Sequence, residues 1–181
     1  MKNDRIKLVL PYVGLPILII ALLITQIGRI ELFFILTNVL LVIFGYIASV
    51  NDIKTKKIAN SLVLAMLAGW VIIFISQLFF DIEGALRILG NAALGFATAG
   101  GLFFLVYIVS RKGLGGGDVK FMAVAGLYLG FGGVISAMLF GSIFAALVGL
   151  TLLLTKKIER KDTIPLAPFL YGGILITVFL G

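Results

Sequence analysis

Two of the eight acidic residues in this 181-residue chain stand where a carboxylate can do chemistry. Asp118 ends the glycine run Gly115, Gly116 and Gly117, and an apolar stretch begins immediately after it. Asp52 closes another apolar stretch and is followed by a lysine-rich segment. Two carboxylates in one site hold one proton between them, so one can act as a base and the other as an acid. The two aspartates are therefore candidates for acid–base chemistry.

The chain contains neither cysteine nor histidine. Their absence excludes disulfides, thiol nucleophiles, cysteine zinc sites, haem bound through histidine and every Ser-His-Asp triad. Any catalysis must come from carboxylates, lysine, tyrosine, hydroxyl groups or the backbone. We accordingly predict that the protein uses no cofactor and no metal.

The composition identifies the surroundings in which these aspartates work. Hydrophobic residues make up 61% of the chain and charged residues 13%, whereas a soluble domain is about 45–50% apolar and about 25% charged. A chain this small has too little interior to bury so much apolar surface. The sequence therefore predicts an all-α fold, a polytopic membrane helix bundle.

The apolar stretches can be laid across a hydrocarbon core of about 30 Å, which needs roughly 20 helical residues. The stretch from 119 to 155 is too long for one helix, and the sequence Gly-Phe-Gly-Gly at 130–133 interrupts it. We divide it into helices at about 119–130 and 134–155, the first of them unusually short. With the division the chain has seven predicted membrane helices. The other spans are 6–27, 32–50, 61–80, 88–110 and 164–180.

The distribution of basic residues predicts the orientation. Alternate gaps between the spans contain 13 of the 15 lysines and arginines, and cytoplasmic loops carry this excess. The N-terminus is thus predicted to be cytoplasmic and the C-terminus outside, in the cell (inner) membrane. Both aspartates then lie at the cytoplasmic boundary. The basic loops predict anionic lipid headgroups as partners and give no support to nucleic-acid binding, because the charges lie in short separate loops.

Each aspartate also has a purely structural interpretation. Asp118 can be a helix N-cap, which explains its position but not the glycines before it. A phosphate-binding loop is disfavoured, since the run lacks the GxxxxGK[ST] spacing and ends in an acid. Asp52 can be a juxtamembrane acid compensated by Lys54, Lys56 and Lys57.

Two other classes of function stay open on the residues alone. In a small transporter or channel, Asp52 and Asp118 would bind an ion or relay protons. Such sites usually lie near the membrane midplane, whereas both acids map to one boundary. In a purely structural membrane subunit, Asp118 would tolerate replacement by asparagine or serine.

The run Gly115-Gly116-Gly117-Asp118 is a GxGD motif, and Lys120 lies two positions beyond it. This motif resembles that of the type IV prepilin and archaeal preflagellin peptidases, which are GxGD intramembrane aspartyl proteases. In that family an earlier aspartate, followed by basic residues and an I-P-N-like segment, partners the GxGD aspartate.

The earlier aspartate of the family pattern matches Asp52, which precedes Ile58-Ala59-Asn60. Ala59 stands where the family often has proline. Residues 164–169 resemble a late Pro-x-x-Pro-Phe element of the family. Presenilin and signal peptide peptidase also use GxGD, but they fit less well, because Asn51 rather than tyrosine precedes Asp52 and two predicted helices separate the aspartates.

The resemblance covers about residues 32–181. It implies a six-helix peptidase domain at 29–181, and residues 1–28 would add a retained N-terminal membrane helix. It also implies removal of the leader of a type IV prepilin-like or preflagellin-like precursor at the cytoplasmic face, without the methyltransferase activity that accompanies paired cysteines in bifunctional members. The catalytic residues implied are Asp52 and Asp118, and the substrate-binding residues are Gly115, Gly116, Gly117 and Lys120.

Overall fold

The computed structural model describes residues 14–24, 32–110, 113–157 and 164–180, and no strand occurs within these ranges. Four of the described helices are each long and apolar enough to span a membrane, and two others are shorter apolar helices. The protein is therefore an all-α, polytopic membrane helix bundle, as the composition predicts. The helices are α1 (Gly14–Ile24), α2 (Leu32–Thr55), α3 (Asn60–Phe80), α4 (Ile82–Val109), α5 (Gly116–Leu154) and α6 (Ala167–Leu180).

Apart from the interruption within α5, four helix ends differ from the prediction by three residues or more, one of them the start of α5 at Gly116 rather than near residue 119. Helix α2 continues to Thr55 instead of stopping near residue 50, so Asp52 lies inside its last turns. Helix α4 begins at Ile82 rather than at residue 88, because Asp81 accepts a hydrogen bond from the Gly84 N–H at 3.0 Å and caps the helix. Helix α6 begins at Ala167, three residues later than predicted.

The first predicted span can be compared only in part. Its central residues form α1, Gly14–Ile24. The remainder of the predicted span 6–27 lies outside the described residues, as do the predicted N-terminal orientation signals. The division into an N-terminal helix at 1–28 and a peptidase domain at 29–181 stays a prediction.

Helix α5 is broken at Gly130, where φ is 66° and ψ is −176°. This conformation is easy for glycine and strained for residues with a Cβ. The predicted interruption is confirmed, but it was too long, since helix resumes directly after Gly130. The N–H of Phe131 donates to Asn91 Oδ1 of α4 at 3.0 Å, which satisfies a donor that the break leaves without a helical partner. We call the two parts α5a (residues 116–129) and α5b (residues 131–154).

Small residues bring the helices into backbone contact. A Cβ at Gly95 of α4 would clash with the carbonyl oxygen of Gly126 and lie 2.7 Å from the Gly130 carbonyl carbon. A Cβ at Gly141 of α5b would lie 2.9 Å from Leu170 Cα on α6. Lipid tails are as apolar as the helix side chains, so the hydrophobic effect does not drive membrane helices together. Their association is instead stabilised by close van der Waals packing of this kind. The absence of a side chain at Gly95 and Gly141 therefore permits the close approach of α4, α5 and α6.

Four helix ends meet at one end of the bundle, which we call the aspartate end. These are the C-terminal end of α2 and the N-terminal ends of α3, α5 and α6. Below them lies the core, where α5a contributes the fully buried Phe121 and Met122. The turn between α3 and α4 at Asp81 lies at the opposite end. The fold thus gathers both candidate catalytic residues on one side of the bundle.

Candidate active site

Asp118 is the third residue of α5, because the helix begins at Gly116. The N-cap is therefore Gly115, with φ −76° and ψ 140°, so the alternative interpretation of Asp118 as the cap residue does not hold. The carboxylate instead reaches back, and Asp118 Oδ2 accepts a hydrogen bond from the Gly115 N–H at 3.2 Å. Its other oxygen, Oδ1, is buried and has no hydrogen-bond partner in the part of the chain that the structure describes. One carboxylate oxygen thus accepts a backbone hydrogen bond, while the hydrogen-bonding capacity of the other is unused.

The three glycines before Asp118 have different surroundings. A Cβ at Gly115 would lie 2.8 Å from Asp118 Oδ2, so glycine permits the close return of the carboxylate. A Cβ at Gly117 would lie 3.1 Å from Ile58 Cβ and 3.2 Å from Ile58 O. At Gly116 a Cβ would meet nothing within 4 Å. The run therefore combines two close contacts with one position that faces open space.

Asp52 is buried, with 5% of its surface exposed. Its Oδ2 accepts a hydrogen bond from the N–H of Ala167 at 2.9 Å. Ala167 is the first residue of α6, so Asp52 caps that helix from α2 and places its negative charge at the positive end of the helix dipole. The Ser49 hydroxyl, one turn earlier on α2, donates to Gly45 O at 2.8 Å and makes a longer contact of 3.4 Å with Ala167 O.

The path of the chain brings the two aspartates together. Lys56 turns the chain out of α2 with φ 52°, and its N–H donates to Asp52 O at 2.8 Å. Two residues later, buried Ile58 rests on Gly117, the residue next to Asp118. The two carboxyl groups lie close enough for the ionisation of one to disfavour that of the other. Among the described residues, each carboxylate bonds to a backbone N–H rather than to the other carboxylate.

Lys120 is exposed and lies at the edge of the site. Its Nζ donates a hydrogen bond to Asn60 Oδ1 at 3.0 Å, which links α5a to the first residue of α3. The predicted substrate-binding role of Lys120 and of the three glycines stays a prediction. Within the described ranges, no three His, Cys, Asp or Glu side chains cluster as metal ligands do.

Sequence reasoning missed two contributors to the site. Ala167 takes part through its backbone N–H, for which a residue type gives no signal. The flanking Pro165 and Pro168 were the available clue, because proline is favoured near helix starts. Ile58 takes part through shape, by packing on Gly117. Its place in the Ile58-Ala59-Asn60 segment, which resembles an I-P-N-like element, was the available signal.

The arrangement can support hydrolysis by a water between two carboxylates. Asp118 offers an unbonded oxygen, and Asp52 is fixed by one backbone donor. Two carboxylates within electrostatic range favour a state in which they share one proton. Such a pair can remove a proton from water and deliver one to a leaving group.

Comparison with known proteins gives one family model and several curated relatives. The model of the Type IV leader peptidase family matches residues 39–150. A prepilin leader peptidase/N-methyltransferase of Bacillus subtilis (strain 168) is 34% identical over 91 residues, which is 50% of this chain and 37% of that protein. The enzyme of the same name from Stutzerimonas stutzeri is 32% identical over 133 residues, 72% of this chain and 45% of that protein.

A third relative, the prepilin leader peptidase/N-methyltransferase of Burkholderia pseudomallei (strain K96243), is 30% identical over 139 residues, 74% of this chain and 42% of that protein. This chain spans less than half the length of these curated relatives. No solved structure is significantly similar to it. The family match extends over both aspartates and the glycine run, and the resemblance read from the GxGD motif is confirmed: the chain belongs to the Type IV leader peptidase family.

Proposed function

We propose that the protein is a membrane aspartyl endopeptidase that removes the short basic leader of pilin-like or flagellin-like precursors. Membership of the Type IV leader peptidase family supports a leader-processing protease. The observation that carries the aspartyl assignment is the buried, unbonded Oδ1 of Asp118 within electrostatic range of Asp52. A buried carboxylate oxygen without a hydrogen-bond partner raises the free energy of the folded protein unless a water molecule or the substrate donates a hydrogen bond to it.

The reaction follows from a shared proton. The ionised carboxylate of the pair takes a proton from a water molecule, and the resulting hydroxide attacks the carbonyl carbon of the scissile peptide bond. The protonated carboxyl donates its proton to the carbonyl oxygen. When the tetrahedral intermediate collapses, the C–N bond breaks and a proton passes to the leaving amine. The two aspartates act as one titrating unit, so no starting protonation is assigned to either.

The glycine run supplies room for the substrate in this proposal. Gly116 is exposed and faces open space, so an extended peptide backbone can pass close to Asp118 at this point. Gly115 and Gly117 keep the loop and the helix start near the carboxylate. Lys120 lies one turn from the loop at the edge of the same opening and is assigned a contact with the substrate.

The cytoplasmic face is proposed as the site of cleavage. Lys54, Lys56 and Lys57 are exposed at the aspartate end, and cytoplasmic loops carry the excess of basic residues. Anionic lipid headgroups would contact these lysines. On this orientation the N-terminus is cytoplasmic, the C-terminus lies outside, and the peptidase activity belongs to residues 29–181. Methyl transfer is not part of the proposal.

The test uses the purified chain in liposomes with a panel of precursors that carry a basic leader and an apolar helix. We expect Asp52→Asn and Asp118→Asn each to reduce cleavage below detection while the protein still accumulates in membranes. Glu83→Gln is the matched control, because Glu83 is an exposed acid in the first turn of α4 at the opposite end. Cleavage by either asparagine variant would remove that aspartate from the mechanism. A wild-type protein that cuts no member of the panel would overturn the function.

A further inference from the structure

An open apolar groove runs along the bundle beside the candidate active site, with a volume of about 490 Å³. Helix α3 forms one wall with Val63 and Leu67, and helix α4 forms the other with Phe96 and Phe104. The floor is α5a, including Ala123. We call it the α3–α4 groove.

The groove is present because α4 packs on α5 much more extensively than α3 does. The two helices share Asp81 as their common cap at the far end. Helix α4 packs closely on α5a, where a Cβ at Gly100 would lie 3.1 Å from Ala123 Cβ. Helix α3 makes much less contact with α4 and α5, so the two walls stand apart. Gly101, the next residue of α4, lines the space between them, and a Cβ there would meet nothing within 4 Å.

The groove begins beside the start of α5a, close to the candidate active site, although neither aspartate lines it. Val119 and Lys120, the two residues that follow Asp118, both line it. An extended peptide advances about 3.3 Å per residue, so a chain with its scissile bond at Asp118 enters the groove within a few residues. Lys120 is the only charged residue of the lining, and the rest is apolar or glycine. The part of a substrate that follows the cut must therefore be apolar to occupy it.

From this proximity we infer that the α3–α4 groove binds the apolar helix that follows the cleavage site of the precursor. The first turns of that helix would contact Gly101. The inference rests on the proposed function and adds to it a surface that selects the substrate. In lipid, small residues such as Gly100 and Gly101 let an incoming helix approach the walls closely. The leader itself stays on the water side of Asp118.

The first test fills the groove. Gly101→Trp is compared with Gly90→Trp, because Gly90 lies three helical turns away on the same face of α4 and also has open space around it. We expect Gly101→Trp to raise the KM for the full precursor by about tenfold with kcat almost unchanged. A short peptide with the leader and cut site but no apolar helix should be cut by both variants at the wild-type rate.

The second test maps the contact and does not depend on the tryptophan variant folding. The chain has no cysteine, so Gly101→Cys and Gly90→Cys each carry a single thiol. A precursor with one cysteine, placed in turn through the first three turns of its apolar helix, should form a disulfide with Gly101→Cys and none with Gly90→Cys.

Two results would overturn the docking site while leaving the proposed function intact. One is an absence of cross-links at Gly101→Cys with a precursor that is still cut, which means that lipid fills the groove. The other is an equal KM for the full precursor in Gly101→Trp and Gly90→Trp. If the wild-type protein cuts neither the precursor nor the short peptide, the proposed function itself fails, and that outcome is distinct from both.

Discussion

The N–H of Ala167, the first residue of α6, donates a hydrogen bond of 2.9 Å to Asp52 Oδ2 across 115 residues of sequence. A carboxylate that the sequence assigns to catalysis is therefore also the cap of a distant helix. The bond ties the end of α2 to the start of α6, and both atoms belong to buried residues. Changes at Asp52 are thus expected to affect folding as well as the proposed activity.

Replacing Asp52 should separate these two effects. Asp52→Ala leaves the buried Ala167 N–H without a partner and should lower the free energy of unfolding by about 1–3 kcal/mol. Asp52→Asn retains an acceptor oxygen and should lose less than half as much. Thermal unfolding of the purified variants in detergent measures both. Asp118→Ala is the control, since its lost partner, the Gly115 N–H, belongs to an exposed residue. Equal stability of Asp52→Ala and wild type would contradict the capping role.

The contact between Gly117 and Ile58 predicts a second outcome. Gly117→Ala places a methyl group 3.1 Å from Ile58 Cβ, so the loop or the start of α5 must shift by a few tenths of an ångström. Because a misplaced catalytic group is costly, we expect kcat/KM for a leader substrate to fall by about 10- to 100-fold. Gly116→Ala, whose methyl group meets nothing within 4 Å, should retain most of the activity. A greater loss in Gly116→Ala than in Gly117→Ala would contradict this account.

The departure at Ala59 from the family's I-P-N-like pattern predicts a third outcome. Ala59 has φ −68° and ψ 135° as the N-cap of α3, and its N–H donates no bond among the described residues. Proline fixes φ near this value, so Ala59→Pro should raise the free energy of unfolding by about 0.4–1 kcal/mol with cleavage retained.

Thermal unfolding is again the measurement for Ala59→Pro. Leu64→Pro, inside α3, is the matched control, because it removes a helical hydrogen bond and should destabilise the protein by about 3 kcal/mol. A lower unfolding temperature for Ala59→Pro than for wild type would refute the compatibility of this position with proline.

The break in α5 predicts a fourth outcome. Asn91 Oδ1 accepts the Phe131 N–H that the break leaves free. Asn91→Ala removes this acceptor and should lower the free energy of unfolding by about 0.5–2 kcal/mol, as the loss of a helix cap does. Asn91→Asp keeps an oxygen in the same place and should be closer to wild type. If the two variants unfold at the same temperature, the hydrogen bond does not stabilise the break.

The sequence predicts the fold class and the break in α5 because both are local properties. A stretch of 37 largely apolar residues at 119–155 cannot stay within one membrane crossing, and the glycines at 130–133 indicate where the chain can change direction. The proposed pairing of Asp52 with Asp118 can also be predicted from the sequence, because both members are recognised by their side chains. One ends a GxGD run, and the other is a second acid at the end of an apolar stretch.

Other parts of the site could not be predicted, for two physical reasons. Hydropathy marks the limit of the hydrocarbon and not the limit of the helix, so α2 continues through Asp52 to Thr55 with polar residues in its last turns. The Ala167 contact depends on a backbone atom, and the Ile58 contact with Gly117 depends on the path of the connection after Lys56. Neither relation appears until the helices are packed.

The left-handed backbone at Gly130 also separates the helical register of α5b from that of α5a in this chain. In an unbroken helix, each inserted residue turns everything beyond it by about 100°, which would rotate α5b off α6 or α5a off α4. The break at Gly130 interrupts this register, so a length change within α5b is not passed to α5a through a continuous helix. The orientation of Asp118 in α5a therefore does not depend directly on the length of α5b.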